Sequence, residues 1–484
     1  MAVKEADWRP LAAVAGAALL VVLDGTVVAV ALNSLATSFQ VRLDQVVWAT
    51  TAYLLAVAAV LPVLGRLTAR LGARRVFVIG LLVFLAGSGL TALSWSVPAL
   101  VLFRVVQGLG GGLVEPTAMT LAAGLAPAGR MGRVMGVMST VVNVAPVLGP
   151  LVGGLLLETG HWQWIFVINL PLGLVVLVAV LAATRADPIM PDPARAEPSD
   201  APRPDLPRPD ASRADVPGLV MLTAGFVAVL LALNRSGEGG ADPAVVLIGL
   251  SGAALLVLYV PYALRLHRAP ALDLRLFARP GFGPGLGVMG LVGLVMYSQM
   301  ASLPLFAAER FGLAGLRQGV LVSALGIGLL VSMSVGGRLS DGVGARPLVL
   351  SGSVVTLAGA LVFAAAHASL PPAALYALFV VIGLGFGATA APTVAGVFRL
   401  LGPGEQAAGS TALFMTVQFG ASLGVTLLGL LQTVTDDWVR WLFLVVALAQ
   451  AAVFALGTRL SADVSHEPDQ VLSTSGQPPH LSSS

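Results

Sequence analysis

Gly65-Arg-Leu-Thr-Ala-Arg-Leu-Gly-Ala-Arg-Arg-Val-Phe-Val-Ile-Gly80 returns without a gap as Gly337-Arg-Leu-Ser-Asp-Gly-Val-Gly-Ala-Arg-Pro-Leu-Val-Leu-Ser-Gly352, with seven of sixteen positions identical. Each copy is a polar, arginine-bearing loop set between two apolar runs. A second echo follows, three residues out of that register: Gly108-Leu-Gly-Gly-Gly112 is matched by Gly383-Leu-Gly-Phe-Gly387, with Pro116 and Pro392 a few residues on. Two halves carrying the same loop in the same place imply a pseudo-symmetric membrane transporter, with its binding site where the halves meet.

The rest of the chain fits that frame. Hydrophobic residues make up 57% of 484 and charged residues 11%, whereas soluble chains carry about 25% charged residues. A membrane helix needs ~20 apolar residues, so fourteen would use ~280. Spans are expected near 11–32, 46–65, 76–94, 99–123, 134–157, 165–184, 217–234, 244–263, 282–305, 317–337, 347–367, 373–398, 408–432 and 439–459. The expected division is an N-terminal six-helix bundle (1–184), a disordered cytoplasmic linker (185–216), an inserted transmembrane hairpin (217–263), a C-terminal six-helix bundle (264–460) and a disordered tail (461–484). The linker holds eight prolines and seven acidic residues among five arginines, too polar to fold alone.

Charge sets the orientation. With the N-terminus inside, 21 of 27 basic residues fall in cytoplasmic segments and five outside, with Arg104 within a span. Basic residues accumulate on the cytoplasmic side, so both termini are expected in the cytoplasm and the protein in the inner membrane. All seven tryptophans fall at span ends, as an interfacial belt requires.

Several chemistries are excluded. The chain has no cysteine, which removes disulfides, thiol nucleophiles and thiolate metal sites. Its one lysine, Lys4, follows no glycine-rich loop, so there is no Walker-type ATP site. The dispersed arginines do not form a nucleic-acid surface, and the five histidines suggest no metal site. No cofactor is expected; the partners are small molecules, protons and the bilayer, and a monomer is expected.

Ionisable residues inside spans are costly and point to function. Helix geometry puts Asp24 ~10 Å and Arg104 ~8 Å from the outer face, so the two share a depth. Glu115 lies three turns beyond Arg104 on nearly the same face. Together they suggest a water-accessible wall where a carboxylate, responsive to desolvation and to Arg⁺, exchanges a proton. Asp24, Arg104 and Glu115 are the proton-coupling candidates, and Glu115 is also expected to recognise positive charge on a substrate. The alternative is that they tie spans 1 and 4 together. Tyr53, Gln107, Asn143, Gln299 and Gln418 are cavity candidates, interhelical glue being the other reading of the polar amides.

At these residues the chain resembles the major facilitator superfamily, and within it the fourteen-span drug:proton antiporters. Leu23-Asp24-Gly25-Thr26 is similar to the acidic first-helix motif, with Ala29 and Asn33 departing from it. Arg104-Val-Val-Gln107-Gly108 resembles the fourth-helix motif whose arginine is linked to proton coupling. Ala145-Pro146-Val-Leu-Gly149-Pro150-Leu-Val-Gly153-Gly154 resembles the antiporter motif of helix 5. Trp162-Gln-Trp164 through Asn169-Leu-Pro171-Leu-Gly173 is the most family-specific stretch.

The resemblance implies the major facilitator fold, an all-α membrane protein of two six-helix bundles and an inserted hairpin. It assigns gating to Gly65, Arg70, Gly72 and Arg74, and to Arg338, Asp341 and Arg346. The usual acid of the first loop is Ala69 here, whereas the second copy keeps Asp341 near Arg338 and Arg346. The implied function is proton-coupled export of small hydrophobic or cationic compounds, not enzymatic catalysis. Export of one endogenous metabolite or lipid is the alternative, and a non-transporting receptor or scaffold is a second.

Overall fold

The computed structural model describes residues 8–127, 129–186, 215–239, 242–266, 272, 274–312, 320–402 and 405–460. Its helices are α1 (Trp8–Phe39), α2 (Leu43–Leu71), α3 (Ala73–Ala92), α4 (Val97–Leu125), α5 (Met131–Leu157), α6 (Trp164–Val167), α7 (Asn169–Ala186), α8 (Val216–Gly239) and α9 (Pro243–Arg265). A 3-10 turn at Leu274–Ala278 leads to α10 (Phe282–Phe311), α11 (Val320–Val343), α12 (Ala345–Ala366), α13 (Pro372–Arg399), α14 (Gln406–Val434) and α15 (Trp438–Gly457). Thirteen described stretches are long and apolar enough to cross a bilayer, and α5 adds a shorter apolar one at Met131–Ala145. Each of the fourteen apolar runs therefore carries a helix over most of its described residues, the sixth being shared by α6 and α7. The expected linker lies outside the described residues from 187 to 214, as does the tail from 461.

The repeat read from the loops is a repeat of packing. In the first half α1 packs on α5 and α7, α2 on α4, and α3 on α4. In the second, α10 packs on α14 and α15, α11 on α13, and α12 on α13. Close approach is written into matched glycines. A Cβ at Gly110 of α4 would lie 2.7 Å from Gly80 O of α3, and one at Gly385 of α13 would lie 2.7 Å from Gly352 O of α12. The loop glycines match too: Gly72 and Gly344 both have φ 81°, a region that disfavours any side chain.

The halves meet along two seams. At one, α5 packs on α11 and α13; at the other, α14 packs on α2 and α4. Following the alternation of the helices, the side-chain bonds across both seams fall toward the face where α1 begins. Thr120 bonds Ser410 at 2.9 Å and Thr140 bonds Ser334 at 3.2 Å. The hairpin α8–α9 lies beside the second seam, with α8 against both α2 and α14. Thr426 of α14 donates to Leu233 O of α8 at 2.8 Å. Asp215 caps α8 through Gly218 N and accepts from Tyr262 of α9 at 2.5 Å.

Two tryptophans depart from the interfacial belt. Trp162 is buried against Phe39 and Phe166, and Trp438 is buried and donates to Glu309 at 3.2 Å. Indole seeks a hydrogen-bond partner wherever it finds one, so position at a span end does not by itself decide between lipid headgroup and protein.

Candidate functional site

The shared depth of Asp24 and Arg104 becomes a direct ion pair. Asp24 is 2% exposed and Arg104 fully buried. Arg104 NH1 donates to Asp24 Oδ2 at 2.6 Å, while Gln107 Nε2 at 2.9 Å and Asn169 Nδ2 at 2.6 Å both donate to Oδ1. Gln107 Oε1 in turn accepts from Arg104 NH1 at 2.7 Å, and Ala49 O from Arg104 Nε at 3.3 Å. Below the guanidinium lies Tyr53, its ring centroid 4.1 Å from Cζ, a cation–π contact. A charge pair in hydrocarbon repays its desolvation when its remaining hydrogen-bond sites are filled; three donors do this for the carboxylate, while Arg104 NH2 has no hydrogen-bond partner among the described residues.

The local sequence explains the convergence. Arg104 and Gln107 are one turn apart on α4, and Gly108 and Gly111 continue that face. A Cβ at Gly108 would fall 2.9 Å from Ala56 Cβ, and one at Gly111 2.8 Å from the Tyr53 hydroxyl, so glycine lets α2 deliver Tyr53 beneath the arginine. Gln107, a cavity candidate, is thus part of the charge network. Asn169 and Ser88 belong to it and were not among the candidates: Asn169 also donates to Ser88 Oγ at 2.9 Å. The signal available for Asn169 was its place in the most family-like stretch.

Glu115 is half-buried on α4 and within electrostatic range of Tyr53 and of Tyr297 on α10 of the other half. It therefore lies toward the other half, near Tyr297. Asn143 and Gln299 come together in one pocket with Met296, Met300, Leu325, Gly326, Leu329 and Phe386. Gln418 is half-buried on α14 and does not line that pocket.

The second loop copy carries a clasp. Asp341 accepts from Gly132 N at 2.6 Å and Arg133 N at 2.9 Å, at the N-terminus of α5 in the other half. Its ionic partner is Arg399 of α13, at 2.7 Å, rather than Arg338 or Arg346, which were expected beside it. Arg338 is exposed and Arg346 half-buried. A carboxylate on the free N–H groups of a helix N-terminus satisfies them and the helix dipole together. In the first copy Ala69 is exposed, as is Arg70, while Arg74 is half-buried; Gly65 lies near Thr411 of α14 across the seam.

Helix α5 runs unbroken through Pro146 and Pro150. Its glycines face α1: a Cβ at Gly149 would collide with Thr26 Oγ1, and one at Gly153 would lie 3.1 Å from Val27. Gly154 is half-buried. The helix is thereby packed within one turn of Asp24, and its opposite end is held by Asp341.

Nothing in this arrangement pairs a nucleophile with a base, and no cluster of metal-ligating side chains occurs among the described residues. A charge network buried within one of two related helical bundles, in a chain of many apolar spans, fits a multi-pass membrane transporter of small molecules. The chain matches the family model for the Major Facilitator Superfamily over residues 14–425 and again over 285–483, and it belongs to that family.

Relatives lie across most of its length. It is 32% identical over 423 residues to the Multidrug resistance protein B homolog of Mycobacterium tuberculosis (strain ATCC 25618 / H37Rv), covering 86% of this chain and 74% of that one. It is 31% identical over 433 residues to the Tetracenomycin C resistance and export protein of Streptomyces glaucescens, covering 88% and 76%. Among solved structures, the human organic anion transporter MFSD10 aligns with TM-score 0.62 at 17% identity, over 93% of this chain and 99% of that one. The proton:xylose symporter XylE aligns with TM-score 0.63 at 15% identity, over 94% and 96%.

Proposed function

We propose that the protein is a proton-driven exporter of small hydrophobic and monocationic compounds, working by alternating access in the inner membrane with both termini cytoplasmic. The observation that carries this reading is the buried Asp24–Arg104 pair, closed by Gln107 and Asn169. Protonating Asp24 would leave Arg104 without its counter-charge in the bilayer interior. Uncompensated buried charges cost about 3–5 kcal/mol, and about 5.5 kcal/mol carries a two-state equilibrium from 1:99 to 99:1. One proton is thus of the right size to bias the exchange between conformations.

The route outward is short. Gly149 and Gly153 pack α5 on α1 beside Asp24, and α5 begins at the backbone amides held by Asp341. A shift of α1 on protonation would pull on that clasp. With the N-terminal face cytoplasmic, the side-chain bonds across the seams lie inside. The names of the sequence relatives, a multidrug resistance protein and an antibiotic resistance and export protein, support export of foreign compounds over export of one metabolite or lipid.

The test is proton-driven uptake of dyes and antibiotics into inverted vesicles. Wild-type protein accumulates several unrelated compounds on imposition of a gradient; Asp24→Asn accumulates none. The double variant Asp24→Asn/Arg104→Gln removes both charges, avoids the orphaned guanidinium, and remains uncoupled. Gradient-driven accumulation at the wild-type rate by either variant rejects the assignment.

A further inference from the structure

A groove of about 450 Å³ runs between α2 and α8. Ala59 and Val63 form its α2 wall, and its α8 wall extends from Val216 through Val220 to Val227. Val216 and Val220 are exposed, and no lining residue is charged or comes from the second bundle. The groove therefore opens to the bilayer, apart from the cleft where the halves meet. Val216 to Val227 rises ~16 Å, about half of a ~30 Å hydrocarbon core. Since α2 ends and α8 begins at the face where α1 begins, the groove occupies the leaflet on that side.

Its end at that face is positive. Arg66 and Arg70 follow Ala59 and Val63 at the alternating three- and four-residue spacing of one helical face. Helical side chains lean back toward the N-terminus, here toward Val63. Between Asp44 and Glu115 the chain has no acidic residue, so the α2–α3 turn brings Arg66, Arg70, Arg74 and Arg75 with no counter-charge of its own. Arg66 is half-buried, and its side chain has no hydrogen-bonding or ionic partner among the described residues. Asp215, at the same end of α8, is buried and engaged by Gly218 N and Tyr262 of α9.

We propose that this groove seats one anionic phospholipid, with an acyl chain along α2 and α8 and the phosphodiester on Arg66, Arg70 adding its charge. Guanidinium N–H groups fork onto phosphate oxygens, and the apolar walls take the chain. A zwitterionic headgroup brings an ammonium toward the same arginines and gains less; free phosphate has no chain to bury. The lipid lies beside the seam whose loop carries Ala69, where the other seam has Asp341. The site requires the membrane-spanning fold alone and is independent of proton coupling.

Full-length protein in detergent micelles, titrated with chain-matched phosphatidylglycerol and phosphatidylcholine and weighed by native mass spectrometry, tests it. Wild type should retain one phosphatidylglycerol about fivefold more readily than phosphatidylcholine, the scale of one arginine beside anionic lipid. Excess inorganic phosphate should not displace it. Arg66→Gln should bring the two lipids within about twofold. Val220→Trp, at an exposed position, fills the groove and should do the same. Arg75→Gln removes an exposed arginine on α3 and should keep the preference, which separates a seat from general surface charge. Equal retention of both lipids by wild type, as when acidic side chains of the linker already occupy Arg66, overturns the proposal. So does displacement by phosphate, a preference that survives either Arg66→Gln or Val220→Trp, or an equal loss in Arg75→Gln.

Discussion

Asp341 accepts a hydrogen bond from the backbone amide of Arg133 at 2.9 Å across the boundary between the two halves. Gly132 N and Arg399 complete its shell. The matching place in the first half is Ala69, and the residue there matching Arg399 by the glycine register is Gly124. One seam is therefore clasped by Asp341, and the matching position at the other carries no carboxylate. Asp341→Ala removes charge-assisted bonds of about 1.5–3 kcal/mol each, whereas Ala69→Asp adds an acid where the position matching Arg399 holds a glycine. Asp341→Ala should open the sealed face and cut transport several-fold; Ala69→Asp should do little. The chain has no cysteine, so a single Asn143→Cys reports access directly. Its thiol-labelling rate from the N-terminal face should rise when combined with Asp341→Ala. Equal, small effects of both substitutions would remove Asp341 from the gate.

Asn169 should act as a positioning residue for Asp24. It donates to the same oxygen as Gln107 and is itself held by Ser88. Asn169→Leu keeps the volume and deletes one donor, so the carboxylate should be held less firmly beside Arg104. Gradient-driven uptake should fall, by less than in Asp24→Asn, while substrate exchange without a gradient is kept. An equal loss of both activities would indicate packing alone.

The charge network could be half-read from the sequence. Asp24 and Arg104 announced themselves because an ionisable side chain in an apolar run demands a partner at its own depth. Asn169 and Ser88 made no such demand, since neutral polar residues sit in membrane helices at small cost. The loop repeat located Asp341 but misplaced its partner. Arg338 and Arg346 are near it along the chain, while Arg399 is brought to it by the packing of α11 on α13, and its backbone donors lie in the other bundle. The glycines at 108–112 and 383–387 were legible as packing surfaces, and they are.

The second half replaces the charge network by aromatic rings. By the glycine registers of the two helix pairs, Arg104 corresponds to Phe379 and Ser88 to Ala360; Phe379 lies with its ring centroid 4.9 Å from that of Phe363 on α12, and Phe443 of α15 lies 4.4 Å from Phe363. Where the first bundle carries a titratable centre, the second carries a dry one. Phe363→Ala should cost about 3–5 kcal/mol of stability, read as a fall in thermal unfolding temperature in detergent. Proton coupling in the protein that remains folded should be unaltered. A lost coupling at unchanged thermal stability would contradict a purely structural role for this cluster.

Glu405 pairs with Arg279 just before α14, at 2.6 and 2.5 Å. The Arg279 hydrogen bonds hold its carboxyl below the usual carboxylate range, against the opposing effect of partial burial. A depressed carboxyl stabilises the fold above its unfolded pKa, and that contribution disappears as pH falls through the folded value. Both side chains are a third or more exposed, so solvent screening keeps the pair to about 0.2–1 kcal/mol. Glu405→Gln should lower the unfolding temperature slightly at neutral pH and not at all once the carboxyl is protonated. A deficit that persists undiminished in acid would assign the effect to packing.

Glu115 should select for positive charge. It lies toward the other half, within electrostatic range of Tyr53 and Tyr297, and α13 has Ala390 or Ala391 at the matching place. Tyr297 brings an aromatic ring within electrostatic range of the carboxylate, and a carboxylate and a ring attract a cation through charge and quadrupole respectively. With Asp24 already committed to Arg104, a single free carboxylate suits one positive charge better than two. Glu115→Gln should therefore reduce export of a monovalent cation by tenfold or more, the scale of about 1.4 kcal/mol, and leave a matched neutral compound within about twofold. Tyr297→Leu should weaken the cation by a smaller factor, since a cation–π contact contributes about 0.5–2 kcal/mol. Transport rates for the cationic and neutral pair, measured side by side in both variants, decide it. A proportional loss for both compounds would mean that Glu115 supports α4 and does not read the charge of the substrate.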